Sequence, residues 1–336
     1  QQTPTPSPSP TPAEGEESGE DETVTVDVSE IKLQVRVIDR NNRTVGDVQQ
    51  SDFRVFEDGV PQTVTYFSKE EVPIQYGLLI DNSGSLRAQL PKVIEASRTI
   101  VNSNKQQDET LLVRFTGSEQ IEIVQDFTAN KDEMLEAIET LYTEGGQTAI
   151  LDAIYVTAEH VAQYKKGPSL NDRRRRALIL VTDGEERGST YRQERLFEML
   201  RENDVQIYVI GFVNELDHEG GFIRKSPRTK AVNLINRLAE ETGGRAFFPT
   251  SLNELPQIAE EITRDLRTQY VLGYNPTNKA RDGRFRAVRV TIADAPGREK
   301  RIALTRAGYT AQGGAPSSSA PSQKDDKPTS LQQRRP

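Results

Sequence analysis

The chain of 336 residues contains no cysteine and only two histidines, His160 and His218. The absence of cysteine excludes disulfides, thiolate zinc sites and cysteine nucleophiles. One histidine lies inside a predicted helix and the other in a polar, glycine-rich loop, so their spacing is not that of a metal-binding pair. No apolar run approaches the roughly 20 residues that a membrane-spanning helix needs. We therefore expect no transmembrane segment, and the compartment has to be inferred from other features.

The chain also has no surplus of basic charge. Its net charge is -8, and the excess of acidic residues lies in one terminal stretch. Residues 1–30 contain eight acidic and no basic side chains, which leaves 43 of each sign in the remainder. A charge-neutral body argues against electrostatic capture of nucleic acid or anionic lipid. The densest basic run, residues 173–176, directly precedes a predicted buried strand, and we interpret it as a solvated strand entry. No stacking aromatics accompany it, so we expect no nucleic-acid partner.

Both ends of the chain are predicted to be disordered. Residues 1–23 alternate Pro with Thr or Ser and then turn acidic, while residues 312–336 are rich in Gly, Ser, Pro and charge. Such stretches cannot bury enough apolar surface to offset the entropy lost on ordering. Residue 1 is Gln rather than Met, and the Pro/Thr/Ser run follows at once. We therefore expect a chain from which a secretory signal has been removed, located in the periplasm or outside the cell.

Between these ends the hydrophobic period changes twice. Residues 24–71 and 269–311 have the pattern of short strands separated by turns, about three strands in each, and residues 301–309 are predicted to be a single strand. Three strands are marginal for an independent sheet, so we predict that the two flanks form one small β-sandwich. Residues 72–268 alternate short apolar runs, typical of parallel strands buried on both faces, with amphipathic helices. We predict one helix that Asn130 caps and others at residues 149–164, 190–202, 230–242 and 252–268, with a left-handed stop at Gly243. Residues 111–115 and 121–124 are predicted to form an antiparallel hairpin. The predicted fold is α/β, a doubly wound, mostly parallel sheet inserted in that sandwich.

Oxygen side chains cluster where ligands bind such a sheet, at the carboxyl ends of its strands. Asp81, Ser83 and Ser85 follow the first buried strand, Thr148 precedes a helix, and Asp183 ends another apolar strand. A carboxylate with two hydroxyls is a hard-oxygen set suited to Mg²⁺, Mn²⁺ or Ca²⁺. The same residue types are also common in helix caps and turns, so a purely local role stays open as an alternative.

The order of these five residues resembles the metal-ion-dependent adhesion site of the von Willebrand factor type A domain. That family uses an Asp-x-Ser-x-Ser turn, a Thr from a second loop and an Asp from a third. The resemblance covers residues 75 to about 265, and it departs from the family at Gln147, where many members run Gly-Gly-Thr directly. It implies a Rossmann-like fold and a bound divalent cation, Mg²⁺ above all. The flanks resemble the bacterial subgroup first recognised in acidobacteria.

The expected function is non-enzymatic adhesion. Neutral hydroxyl ligands leave the charge of the cation only partly compensated, so an open position should attract an Asp or Glu carboxylate of a partner protein. One alternative is a structural or assembly module of the cell envelope in which the cation is only stabilising. A hydrolase is a further alternative, but Ser83 lacks the Gly-x-Ser-x-Gly elbow and a phosphatase would need a second Asp at that position. The pattern specifies no oligomeric state.

Overall fold

The computed structural model describes residues 30–41, 43–69, 72–164, 175–203, 205–216, 226–294, 297, 299–311 and 332–333. The predicted leader, His218 and the predicted tail apart from residues 332–333 lie outside these ranges. The described strands form one mostly parallel sheet and two antiparallel sheets. The predicted fold class is therefore confirmed, whereas the predicted domain boundaries stay a prediction.

The central sheet is mostly parallel and largely buried. Its strands in spatial order are β10 (Ala246–Phe247), β9 (Val205–Gly211), β8 (Arg175–Thr182), β5 (Ile74–Asp81), β6 (Glu109–Phe115), β7 (Ile121–Thr128) and β15 (Gln332–Gln333). Only the pair β6 and β7, the predicted hairpin, is antiparallel among these described strands. Every residue of β5 and β9 is buried. This burial explains why both strands are almost continuously apolar rather than alternating.

Helices cover both faces of this sheet. They are α1 (Leu90–Asn102), α2 (Lys131–Glu139), α3 (Ile150–Gln163), α4 (Gln193–Glu202), α5 (Pro227–Thr242) and α6 (Leu255–Arg267). Helices α3, α4 and α5 pack in the core on one face, and α1, α2 and α6 pack in the core on the other. The side chain of Asn130 accepts the N–H of Asp132 at the start of α2, as its sequence predicts. Gly243 ends α5 in the predicted left-handed conformation, with φ 76°.

The two antiparallel sheets combine strands from both sides of the central sheet in the sequence. One has the order β13 (Ile302–Leu304), β1 (Ile31–Ile38), β11 (Tyr270–Tyr274) and β4 (Val64–Ser68). The other has the order β14 (Gly308–Thr310), β12 (Phe285–Ile292), β2 (Phe53–Glu57) and β3 (Val60–Gln62). The single strand predicted for residues 301–309 is thus wrong in detail, because the chain there leaves one sheet after Leu304 and enters the other at Gly308.

The facing sides of these two sheets share one apolar core. Buried Glu57 joins them as well, because its Oε2 accepts the hydroxyl of Tyr274 at 2.7 Å and that of Tyr309 at 2.8 Å. Burial raises the pKa of both tyrosines, so their hydroxyls keep the protons that they donate. The flanks therefore form one small sandwich whose sheets each need strands from both sides of the insertion.

A buried ion pair connects the sandwich with helix α6. Arg36 of β1 donates to Asp265 of α6 at 2.7 Å, and each side chain is only 2% exposed. Arg245 lies on the solvent side of this pair, with its Nη2 2.8 Å from Glu261 and its Nη1 3.5 Å from Asp265. The sandwich thus contributes the cation and helix α6 the anion of one buried pair. Either charge would be costly to bury without the other.

The interpretation of residues 173–176 as a solvated strand entry is wrong for Arg175. This side chain is 1% exposed. Its guanidinium donates to the carbonyl oxygens of Leu266 at 2.6 Å, Arg267 at 3.1 Å and Gln269 at 2.9 Å. These carbonyls lie at and just beyond the end of α6, where the helix leaves its last acceptors without intrahelical donors. Arg175 is therefore buried because its guanidinium donates to backbone carbonyl oxygens that the end of helix α6 leaves without donors.

Candidate functional site

The candidate site lies at the carboxyl ends of the central strands. Strand β5 pairs in parallel with β8 on one side and with β6 on the other, and Ile80 is opposite Val181. All three strands therefore end at the same edge, and the segments that follow them meet there. Asp81 is the last residue of β5, and Asp183 comes directly after the end of β8.

Hydrogen bonds join four of the five predicted residues. A short 3-10 turn at Gly84–Leu86 brings the Oγ of Ser85 within 2.8 Å of the Oγ of Ser83. The Ser85 hydroxyl donates to Oδ2 of Asp183 at 2.5 Å. The backbone N–H of Ser83 donates to Oδ1 of Asp81 at 2.9 Å, which closes the turn on the strand end. Two carboxylates and two hydroxyls, contributed by loops 98 residues apart in sequence, thus converge.

Thr148 reaches the same edge by a different route. Its carbonyl accepts the N–H of Arg187 at 2.9 Å, and the next residue, Ala149, donates to the carbonyl of Thr116 at 2.8 Å. Its side chain is buried, and the hydroxyl makes no hydrogen bond with another residue in the described ranges. The backbone therefore fixes the loop between the segments that follow β6 and β8, while the Thr148 hydroxyl is not part of the hydrogen-bonded group.

Thr182 is a site residue that the sequence prediction missed. Its hydroxyl donates to Oδ2 of Asp81 at 2.7 Å and accepts the N–H of Gly184 at 3.0 Å. Gly184 has φ +79°, and a Cβ there would lie 2.9 Å from the Cβ of Ala231 in α5. A glycine is thus required for the chain to turn away directly after Asp183. The signal for Thr182 was present, since a hydroxyl residue ends an otherwise apolar strand.

Two further carboxylates hold the loop after Asp183 against the start of α3. Asp152, which is fully buried, accepts the backbone N–H groups of Thr190 at 2.9 Å and Tyr191 at 2.8 Å. Glu186 accepts the N–H of Leu151 at 3.0 Å, in the first turn of α3, where carboxylates are favourable. All of these bonds are internal to the fold. These carboxylates therefore position the loops of the site, and nothing in the sequence pattern distinguished that role.

The electrostatics of the site favour a cation. Burial raises the pKa of Asp81 to about 6; the hydrogen bond from Thr182 opposes this shift, and the negative charge of Asp183 adds to it. Asp81 and Asp183 are 1% and 4% exposed. Two neighbouring buried carboxylates are costly unless a positive charge compensates them. Ser85 and residues 145–147 are exposed around them, so the edge is open to solvent on one side.

The donor set fits a hard divalent cation. In the described ranges no group of three or more His, Asp or Glu side chains is placed to hold a metal ion. A cation at this edge would consequently depend on the hydroxyls as well as on the two carboxylates. The hydroxyls of Ser83 and Ser85 can serve as neutral oxygen ligands, and oxygen ligands are what Mg²⁺, Mn²⁺ and Ca²⁺ prefer.

The chain belongs to the von Willebrand factor type A (VWA) family. The family model for the von Willebrand factor type A domain matches residues 77–261, which is more than half of the chain. Domains of this family are often involved in protein–protein interaction and are generally non-enzymatic interaction modules. The narrower resemblance of the flanks to the acidobacterial subgroup stays a prediction.

Several solved structures are similar to this chain. BatB from Bacteroides thetaiotaomicron is 18% identical, with 57% of this chain and 98% of that chain covered and a TM-score of 0.42. The von Willebrand factor type A protein from Catenulispora acidiphila is 13% identical, with 83% and 74% covered and a TM-score of 0.46. Proximal thread matrix protein 1 from the mussel byssus is 19% identical, with 61% and 49% covered and a TM-score of 0.44. No curated protein matches the chain.

The helices of the molecule are short relative to the thickness of a bilayer or are interrupted by polar residues. None of those in the described part of the chain combines the length and the apolar character that a membrane crossing needs.

Proposed function

We propose that the chain binds a partner protein through a divalent cation held by Asp81, Ser83, Ser85, Thr148 and Asp183. Mg²⁺ is the cation that we favour, with Mn²⁺ or Ca²⁺ as alternatives. The observation that carries the proposal is the hydrogen-bonded run from Ser83 through Ser85 to Asp183, next to the buried carboxyl of Asp81. These oxygens are close enough to one another to serve a single ion.

The charge at this edge supports the same conclusion. The raised pKa of Asp81 means that its ionised form lacks sufficient stabilisation from the protein itself. A bound divalent cation would supply that stabilisation and would favour the ionised form of both carboxylates. Thr148 is a buried residue whose hydroxyl no described residue uses as a hydrogen-bond partner, and we include that hydroxyl in the set as its fifth oxygen.

Recognition of a partner follows from the same donor set. The two carboxylates would balance the charge of a divalent cation, and the other three of the five ligands would be neutral hydroxyls. A six-coordinate ion held there would keep one further position, on its solvent side, that water fills and a stronger oxygen ligand can take. An Asp or Glu carboxylate from another protein is the hard, anionic oxygen ligand that such an ion attracts. The exposed residues around the edge, Ser85 and residues 145–147, leave room for that approach.

A non-enzymatic role is part of the proposal. The Ser83 hydroxyl is engaged with Ser85, and His160, the histidine in the described ranges, lies 3.2 Å from Asp126 on β7. Within the part of the chain that the structure describes, the arrangement thus offers Ser83 no histidine base of the kind that activates a serine nucleophile. It favours binding over hydrolysis, in agreement with the usual role of the family.

We also propose a periplasmic or extracellular location. The support is compositional, since the Pro/Thr/Ser run and the acidic stretch of residues 1–23 are typical of spacers. Fractionation of the native host with an antibody to the folded part tests it. Recovery of the protein from the cytoplasmic fraction would overturn this part of the proposal without affecting the binding site.

The binding proposal is tested with paired peptide arrays. Each peptide that contains one Asp or Glu is printed beside its Asn or Gln counterpart, and the labelled protein is applied in Mg²⁺ or in a chelator. We expect capture only by acidic members, only in Mg²⁺, and not by Asp183→Asn. The matched control is Asp294→Asn, since Asp294 is an exposed carboxylate next to β12 in the sandwich. Capture that survives the chelator, or that is equal for amide counterparts, would refute carboxylate binding through a cation.

A further inference from the structure

A cavity in the sandwich is separate from the candidate site. It has a volume of about 660 Å³, within the range of roughly 300–1,000 Å³ that is usual for pockets that bind whole small molecules. Residues 49–51, 53–56, 61, 62 and 64 line it, and they belong to a 3-10 turn with the residue before it, to β2 and β3, and to the start of β4. None of the five candidate site residues is among these lining residues. We call this cavity the sandwich groove.

The lining of the sandwich groove includes apolar surface that solvent can reach. Phe53 and Val55 are buried in the core of the sandwich. Pro61 is exposed, and Phe56 and Val64 are partly exposed. Pro61 is opposite Phe56 in the pairing of β2 with β3, so these two side chains lie on the same face of their sheet. A ligand in the groove would therefore meet apolar surface as well as polar groups.

The guanidinium of Arg54 is held in a fixed orientation. Its Nη1 donates to the carbonyl oxygens of Ser51 at 2.7 Å and Phe53 at 2.8 Å. Arg54 is exposed, and its Nε and Nη2 donate to no residue in the described ranges. A side chain that is already oriented loses less conformational entropy when it binds a ligand. Arg54 thus offers a preorganised edge of N–H donors.

Two further polar side chains of the groove have unused hydrogen-bonding atoms. Gln50 is exposed, and its Nε2 donates to the carbonyl of Val64 at 3.2 Å, while its Oε1 accepts from no described residue. Ser51 is exposed as well, and its hydroxyl makes no hydrogen bond within the described part of the chain. Gln62, by contrast, uses both ends of its amide on Thr277. The groove therefore presents an amide oxygen and a hydroxyl near the guanidinium.

The lining of the sandwich groove carries a positive charge. Arg54 is the single charged residue among those that line it, all of which the structure describes. Asp52 follows Ser51 in the chain but does not line the groove, and its Oδ2 accepts the N–H of Gln49 at 3.0 Å. A positively charged lining complements an anion. A carboxylate matches the planar fork of a guanidinium, because its two oxygens can accept two parallel N–H bonds.

The sheet edge at the groove argues against an extended peptide as the ligand. Strand β3 is the last strand of its sheet, and such an edge can accept a further strand through its backbone. Pro61 is the middle residue of the three in β3, and it has no N–H to donate. A carbohydrate needs no backbone ladder, since its hydroxyls both donate and accept and can pair with side chains such as Gln50 and Ser51. The groove thus favours a sugar over a peptide strand.

We propose that the sandwich groove binds an acidic carbohydrate. A uronic acid carboxylate accepts from Arg54, sugar hydroxyls pair with Gln50 and Ser51, and the face of a sugar ring packs against Pro61. The proposal does not depend on the cation site, because it uses other residues in another part of the fold. It adds a carbohydrate-binding role to the protein-binding role proposed above. A chain with both sites connects a protein partner to an acidic polysaccharide.

The first experiment compares matched trisaccharides. Labelled trimers of glucuronate, galacturonate and mannuronate are paired with the methyl esters of the same trimers, which are neutral. Binding to the full chain is measured by fluorescence anisotropy in a chelator, so that no divalent cation contributes. For at least one sugar we expect the acid to bind about tenfold more tightly than its ester. Arg54→Gln should remove that difference, and Asp183→Asn should keep it.

Arg284→Gln is the matched control. Arg284 directly precedes β12 of the same sheet, its side chain is 82% exposed, and it does not line the groove. This variant removes the same charge and should keep the preference for the acids. Equal affinity for acids and esters, no binding by any trimer, or equal losses in Arg54→Gln and Arg284→Gln would overturn the proposal and leave the function proposed above untouched. An Asp-Gly-Asp peptide that binds as tightly as the best trimer would overturn a carbohydrate site.

A second experiment locates the bound sugar. The Nε–H signal of Arg54 and the side-chain amide signal of Gln50 are followed by NMR while the tightest trimer is added to the wild-type protein. We expect saturable shifts of both signals, whereas the side-chain amide of Gln257 on α6, outside the groove, should not shift. Binding without shifts at Arg54 and Gln50 would place the sugar elsewhere and contradict the proposal.

Discussion

Asp81 has the most unusual environment of the candidate ligands. Its carboxylate is buried, it accepts from Ser83 and Thr182, and it lies near the second carboxylate of the site, Asp183. Without a cation, burial favours the protonated form and raises the pKa of Asp81 to about 6 from an ordinary value of 3.8. The folded protein therefore binds this proton more tightly than the unfolded chain does, between pH 4 and 6. Stability contributed by Asp81 falls as the pH rises through that window.

We predict a pH-dependent difference in stability between wild type and Asp81→Asn in a chelator. Ionised Asp81 costs on the order of 3 kcal/mol above pH 6, and the neutral Asn side chain does not carry that cost. The stability of the variant relative to wild type should thus increase between pH 4 and pH 7, as measured by urea unfolding. Saturating Mg²⁺ should reverse the order at pH 7. A difference that is the same at every pH would contradict this account of Asp81.

The five candidate site residues could be predicted from sequence because they carry side-chain oxygens, stand at predicted strand ends and helix starts, and occur in a recognisable order. Hydrogen bonds join Asp81, Ser83, Ser85 and Asp183 in the fold, as a converging site requires. Their role as metal ligands stays a prediction. Thr182 was missed although it ends an apolar strand, whereas Asp152 and Glu186 could not be recognised in the same way, because their importance lies in which backbone N–H groups they accept. Such contacts depend on how separate loops meet, and a one-dimensional pattern does not contain that information.

Helix α6 is held at its C-terminal end by a side chain from another element. Arg175, at the first position of β8, donates to three backbone carbonyls there. The helix itself is strongly amphipathic, and its apolar stripe, Leu255, Ile258, Ala259, Ile262 and Leu266, is buried. The pattern of α6 predicted the stripe correctly. It did not predict Arg175, because arginine at a strand start is ordinarily solvated.

We predict that Arg175→Met lowers the free energy of unfolding by about 3 kcal/mol, since buried carbonyl oxygens lose their donors. Arg98→Met is the control, because Arg98 is half exposed and pairs with Glu139 at the surface, where ion pairs contribute about 0–1 kcal/mol. Both proteins are unfolded with urea under the same conditions. Equal losses in the two variants would show that the three carbonyls do not depend on Arg175.

The positions of the strands along the chain were predicted better than the pairing of the strands within sheets. Runs of apolar residues mark β5, β8 and β9 because helices bury both faces of the central sheet. Helix α1 was not among the predicted elements, although Val93, Ala96 and Ile100 have helical spacing and are buried. Residues 301–309 became two strands in different sheets, since sheet membership is decided by pairing across the fold rather than by alternation along the chain.

The sandwich and the central sheet form one connected structure. Each antiparallel sheet needs strands from both flanks, and β1 reaches α6 through the ion pair of Arg36 with Asp265. The chain thus enters and leaves the VWA fold through the same small sandwich. Removing one partner of a buried ion pair leaves the other charge uncompensated, which lowers the free energy of unfolding by about 3–5 kcal/mol.

We predict strong coupling in a double-mutant cycle across this contact. Arg36→Met and Asp265→Asn should each destabilise the protein by about 3 kcal/mol. The destabilisation of the double variant should be smaller than the sum of the two single losses by about 1 kcal/mol or more. Urea unfolding provides the four free energies. Purely additive losses would mean that the ion pair does not join the sandwich to α6.

The central claim is that the edge formed by Asp81, Ser83, Ser85, Thr148 and Asp183 holds a divalent cation that still has an open position. Relaxation of water protons by Mn²⁺ tests both parts at once, because enhanced relaxation requires a bound ion that keeps exchangeable water. We predict one Mn²⁺ per chain, displaced by Mg²⁺, with enhanced relaxation that decreases when an acidic peptide replaces water. Asp183→Asn should lose the ion, and Asp294→Asn should keep it. Absence of saturable binding, or a bound ion without exchangeable water, would contradict the account.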